Sequence, residues 1–174
     1  VDFIFKTSDL IKFKIFFIES LNYSEIKMKS SKEDHFHGLA LTKIIKYESF
    51  KALNRASKEY GHYQMNHDTK LHIKYASSCK PQHKFQFVLN DSDLKRINKD
   101  IESESKAYIC LVCGTQTICP INKTEIKEII DLSSKTSQSI YVTAEPGKSL
   151  WVSGSTGRLK TSIPHNAFPS KIFN

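Results

Sequence analysis

Leu71-His72-Ile73-Lys74-Tyr75-Ala76 alternates large apolar residues with His72, Lys74 and Ala76, the two-residue period of a β-strand that buries one face. The residues before it, Asn66-His67-Asp68-Thr69, supply turn chemistry, and Tyr63 and Met65 beyond them share a face, so the whole stretch reads as a β-hairpin. After it, residues 77–83 are polar and contain Pro81, and Phe85, Phe87 and Leu89 alternate again as a third strand. Asn90, Asp91 or Ser92 can then cap an amphipathic helix carrying Leu94, Ile97 and Ile101, which leads to the apolar run 107–113, a buried strand.

Upstream, Ser31-x-x-Asp34 has the form of a capping box and is followed by Phe36, Leu39, Ala40 and Ile44 at helical spacing, which predicts a helix from about Lys32. A second helical segment with Phe50 and Leu53 on one side is expected to run to about Lys58 and stop at Gly61. Downstream, Gly114-Thr115-Gln116-Thr117 turns the chain into a return strand over 118–121, and Asn122 with Glu125 caps a helix bearing Ile126, Ile129 and Ile130. Ile140-Tyr141-Val142 and Leu150-Trp151-Val152, joined through Glu145-Pro146-Gly147-Lys148, form a C-terminal hairpin. Gly154-Ser155-Thr156-Gly157 is expected to be a turn within a mobile loop; it lacks the spacing of a phosphate-binding loop.

The expected fold is therefore a single α+β domain over residues 28–174, with a central mixed sheet, the order α-β-β-β-α-β, then a helix and the hairpin. A chain of 174 residues suits one core of that size. Residues 1–27 differ in texture and are expected to be an N-terminal extension, either an added hairpin or helix or, the favoured reading, an over-extended reading frame with Met28 as the natural start. Their longest apolar stretch, Ile15-Phe16-Phe17-Ile18, is far short of the roughly 20 residues that span a bilayer, and neither a membrane segment nor a signal peptide is expected.

The 26 Lys and Arg residues against 18 Asp and Glu give +8, with arginine only at positions 55, 96 and 158. Lysine is a point charge without the planar fork of arginine, so this excess favours sequence-independent contact with phosphates over base reading. The cysteines at 79, 110, 113 and 119 are too few for a disulfide framework, and reduced thiols in a cytoplasmic protein are expected. Cys110 and Cys113 make a CxxC inside a strand, where residues three apart point to opposite faces and cannot share a metal without a bulge.

The order helix, three strands, helix, strand from about Lys32 to Cys113 is similar to the core of the restriction-endonuclease-like nucleases, the PD-(D/E)XK group. That resemblance implies acidic ligands around Mg²⁺ or Mn²⁺ with a lysine beside them. Here Lys74 holds the lysine position, but His72 stands where the signature has a carboxylate, and Mg²⁺ prefers hard oxygen ligands. The candidate catalytic set is Lys74, Asp68 and His72, with Asp68, Glu48 and Asp91 as the carboxylates for the metal. His62 and His72 are expected to meet across the hairpin, where such a pair binds a metal or shares the acid and base work of RNA cleavage. His35 and His37, two apart in a helix, do not converge on one metal.

The competing expectation is a non-enzymatic binding module. In it, Lys80, Lys84, Lys95, Arg96 and Lys99 contact nucleic-acid phosphates or an acidic protein, and Tyr63, Tyr75 or Trp151 stack on bases. The strings Asp34-His35-Phe36-His37-Gly38 with Leu39-Ala40-Leu41-Thr42, Ile73-Lys74-Tyr75-Ala76, and Ile109-Cys110-Leu111-Val112-Cys113 with Ile118-Cys119 resemble a family of small uncharacterised bacterial proteins. That resemblance covers roughly residues 34–173. It implies a single cytoplasmic domain and carries over no catalytic residue.

Overall fold

The computed structural model describes residues 31–77, 83–103 and 106–174. The N-terminal segment 1–27, Met28, Cys79, Lys80 and Pro81 lie outside the described residues. Helix α1 (Lys32–Ile45) begins where the sequence places it: Ser31 Oγ accepts from the Asp34 amide at 3.1 Å, and Asp34 Oδ2 accepts from the Ser31 amide at 2.8 Å. Ala40 and Ile44 are fully buried, whereas Leu39 is exposed.

The expected second helical segment is absent. Residues 53–55 form a short strand, β1 (Leu53–Arg55), antiparallel to β2 (His62–Met65). The cause is non-local. Asn66, in the left-handed region at φ 51°, accepts from the Lys51 and Ala52 amides through Oδ1, and its own amide donates to Ala52 O at 2.8 Å. These bonds hold the segment extended while Phe50 and Leu53 still reach the core below β2 and β3 (Thr69–Ala76).

The β2–β3 hairpin has His62 opposite His72. On its other edge β3 runs parallel to β5 (Lys106–Cys113), which pairs antiparallel with β6 (Thr117–Asn122), giving a mixed sheet in the order β1-β2-β3-β5-β6. Both edges of β3 are thus occupied. The expected third strand, β4 (Lys84–Leu89), instead joins β7 (Gln138–Thr143) and β8 (Trp151–Gly154) in a second, antiparallel sheet ordered β4-β7-β8. Val142 faces Val152 in the C-terminal hairpin.

Strand β5 divides the interior. Ala107, Ile109, Leu111 and Cys113 point into a core shared with α2 (Asp91–Glu102), α3 (Lys123–Ile129) and the second sheet. Tyr108, Cys110 and Val112 point the other way, to α1 and to Phe168 and Ile172 near the C-terminus. Cys110 and Cys113 therefore occupy opposite faces. Both are free and buried, as is Cys119, and burial pushes the Cys110 thiol up to about 12.

Asn90 and Asp93 close a capping box on α2, and Asn122 and Glu125 close one on α3. The 154–157 segment is a tight turn: the Gly154 amide donates to Gly157 O at 2.7 Å, and the Thr156 amide donates to Ile129 O at 3.1 Å, fastening the turn to the end of α3. The fold is α+β, and among the described residues no helix is long and apolar enough to cross a membrane.

Candidate functional site

Alternation along β3 sends Leu71, Ile73 and Tyr75 under α1 and turns Lys70, His72 and Lys74 to the opposite face. Helix α2 lies against that face and runs back along the strand, so that Asp93 meets Lys74 and Asp100, two turns later, meets His72. Lys74 Nζ donates to Asp93 Oδ2 at 2.8 Å, and Arg96 Nη2 donates to the other carboxylate oxygen, Oδ1. Asp93 is 3% exposed. Burial raises its pKa, but the hydrogen bond and charge of Lys74, the Asn90 amide and Arg96 together hold it below the usual carboxylate range.

The hairpin register brings His62 beside His72 with the rings stacked, centroids 4.5 Å apart at 12°. Both Nε2 atoms lie 2.7 Å from one oxygen, Asp100 Oδ2. Ser57 Oγ stands 2.9 Å from the remaining nitrogen of His62, Nδ1. All three residues are buried. Burial drives the pKa of His72 down, favouring the neutral ring, and this outweighs the opposing pull of Asp100. Burial also raises the pKa of Asp100, yet the hydrogen bonds from His62 and His72 win and keep it ionised. A carboxylate only accepts, so both Nε2 atoms donate to Asp100, and Ser57 Oγ, which can donate or accept, partners His62 Nδ1.

A groove of about 590 Å³ opens beside this cluster, lined by His62 and Asp100 and by Lys70, Lys95, Arg96 and Lys99. Lys95 pairs with Asp91 at 2.6 Å, and Arg96 reaches Glu59 at 3.9 Å as well as Asp93. Lys70 and Lys99 make no ion pair with any described residue.

The expected oxygen ligands are not gathered around Lys74. Asp68 is exposed at the tip of the β2–β3 turn, where it accepts from Thr69 Oγ1 and lies 3.9 Å from Lys106 Nζ. It is six residues from Lys74 along an extended strand, on the order of 20 Å. Glu48 is exposed in the turn after α1, and Asp91 is held by Lys95 at the start of α2. Among the described residues, His62, His72 and Asp100 are the one group of three His, Cys, Asp or Glu side chains whose ligand atoms lie within 4.8 Å of one another.

Lys95, Arg96 and Lys99 share the groove, while Lys84 lies on the second sheet, its Nζ 4.3 Å from the Tyr141 ring centre, near Trp151 and Arg158. Trp151 is exposed, but Tyr63 packs under the sheet and Tyr75 stacks on Phe36 at 4.4 Å. His37 is buried and His35 is exposed, as their helical separation requires. Asp93 and Asp100 were not among the expected site residues. Their signal is a polar residue at a core-facing helical position: Asp93, Ile97 and Asp100 follow one another at steps of four and three. No known protein family, curated protein or solved structure matches the chain.

Proposed function

We propose that this chain is a nucleic-acid-associated protein that takes a phosphate backbone into the groove along α2. The observation that carries the reading is the gathering of Lys70, Lys95, Arg96 and Lys99 on one groove, with Lys70 and Lys99 free of ion pairs among the described residues. The net charge of +8 adds long-range attraction for a polyanion. Lysine ammonium groups on an open groove neutralise phosphates without reading bases, so the binding is sequence-tolerant.

The nuclease-like part of the reading rests on His72 and Lys74 emerging on one face of β3; the order between the helices is four strands, and β4 lies in the second sheet, which weakens the likeness. Because Asp93 engages Lys74 and Asp100 engages His72, these residues act first as the frame of the groove, which favours binding over Mg²⁺- or Mn²⁺-dependent cutting. The buried free thiols Cys110, Cys113 and Cys119 suit the reducing cytoplasm, where this reading places the protein.

Fluorescence anisotropy with labelled single-stranded and duplex oligonucleotides, repeated across salt concentrations, tests the proposal. Affinity is expected to fall steeply with salt as counterions are released, and the Lys70→Glu/Lys99→Glu double variant is expected to shallow the slope by about two contacts on duplex. Absence of binding at low salt overturns the reading. Incubation with Mg²⁺ or Mn²⁺ beside Lys74→Ala separates the branches: cutting that is lost in the variant supports the hydrolytic one.

A further inference from the structure

We propose that His62, His72 and Asp100 form a site for one divalent cation of the zinc class. Three ligand atoms from three elements, β2, β3 and α2, converge on one point, with both imidazole Nε2 atoms 2.7 Å from the same carboxylate oxygen. The rings stack with their planes 12° apart, and two imidazoles that bind one tetrahedral ion edge-on diverge, so one ring turns out of the stack when the ion enters. His62 and Asp100 also line the groove, so the buried cluster stands in its wall.

The donor set selects the ion. Two imidazoles and one carboxylate suit Zn²⁺, and by the same chemistry Co²⁺, whereas Mg²⁺ holds to oxygen ligands and water. Ligands about 2.1 Å from a tetrahedral ion stand roughly 3.4 Å apart, so Asp100 Oδ2 draws back from each Nε2 by less than about 1 Å to admit it, in addition to the turn of one ring. The outer contact is in place as well. Ser57 Oγ, 2.9 Å from His62 Nδ1, can accept from that nitrogen once Nε2 gives its lone pair to the metal, fixing the ligating tautomer. Three protein ligands leave a fourth position of a tetrahedral ion for water. The site does not depend on what occupies the groove, and its failure would leave the nucleic-acid reading standing.

Dialysis of the purified chain against Zn²⁺ and against Mg²⁺, followed by metal analysis, gives the first test. One zinc per chain and no retained magnesium is expected, with affinity falling at least tenfold in both His62→Gln and Asp100→Asn. Histidine-ring nitrogen–proton spectra of the unmutated protein give a second, free of any folding defect in the variants. One equivalent of Zn²⁺ should switch two of the seven histidines from the Nε2–H to the Nδ1–H tautomer. No stoichiometric zinc, unchanged affinity in the variants, or spectral changes confined to the exposed rings of His35, His67 and His83 would each overturn the assignment.

Discussion

Lys74 Nζ meets Asp93 Oδ2 at 2.8 Å, and this contact fastens the first turn of α2 to β3. Two turns on, Asp100 fastens the same helix to the same strand through His72. The two ties differ in kind. The first neutralises a nearly inaccessible carboxylate with a cation that is only 28% exposed, and the second shares one carboxylate oxygen between two imidazoles.

Lys74→Met keeps the apolar stem and removes the ammonium, leaving Asp93 with Arg96 and the Asn90 amide. A loss of about 1–2 kcal/mol is expected in urea denaturation. Asp93→Ala removes the side-chain half of the capping box, leaves Lys74 without its partner and leaves Arg96 only Glu59, and should cost more, about 3–4 kcal/mol.

Asp100→Ala leaves two buried Nε2–H groups without their acceptor and is expected to cost about 2–4 kcal/mol. Asp100→Asn retains one carbonyl oxygen and should lose roughly half as much. Thermal or chemical denaturation of the two variants side by side checks the ordering.

Much of this arrangement is written locally. The three capping boxes, the alternation of β3 and the β2–β3 turn place α1, α2, α3 and the hairpin, and that hairpin alone sets His62 against His72. What escapes is decided by partners distant in sequence. Phe50 and Leu53 have helical spacing, but Asn66, more than ten residues away, holds their segment extended. Phe85, Phe87 and Leu89 read correctly as a strand, yet their sheet depends on β5 having taken the free edge of β3. Asp93 and Asp100 are hidden for the same reason: their partners lie on another element, and alone they look like ordinary surface charges on an amphipathic helix.

Gly154 is required by close approach. A Cβ there would sit 2.0 Å from Ile129 O, a backbone atom at the end of α3 that cannot swing aside. Gly154→Ala is expected to destabilise the protein by about 2–4 kcal/mol and to loosen the β7–β8 hairpin, seen as faster amide exchange there. Gly147→Ala is the contrast. Its φ of 73° is strained for alanine, but the added methyl meets nothing within 4 Å, so a cost of about 1 kcal/mol is expected.

His37 carries a pH dependence whose sign is fixed by burial. The ring is 2% exposed, packs on Tyr60 at 4.5 Å, and neither nitrogen has a hydrogen-bond partner; the Glu33 carboxylate is 3.8 Å away. Burial, aided by the charge of Lys74 and opposed by that of Asp34, lowers its pKa from 6.5 to about 4. In this window the unfolded chain binds the proton more readily than the folded one. Stability is therefore complete above 6.5 and drains as pH falls toward 4, by up to about 3 kcal/mol. Acidification below 4 adds the loss from Asp93, whose depressed pKa makes its protonation unfavourable in the folded state. His37→Leu removes the titrating group while keeping a buried apolar side chain on α1. Denaturation midpoints measured from pH 7 down to pH 4 should fall less in this variant than in the parent chain, and equal slopes would place the acid sensitivity elsewhere.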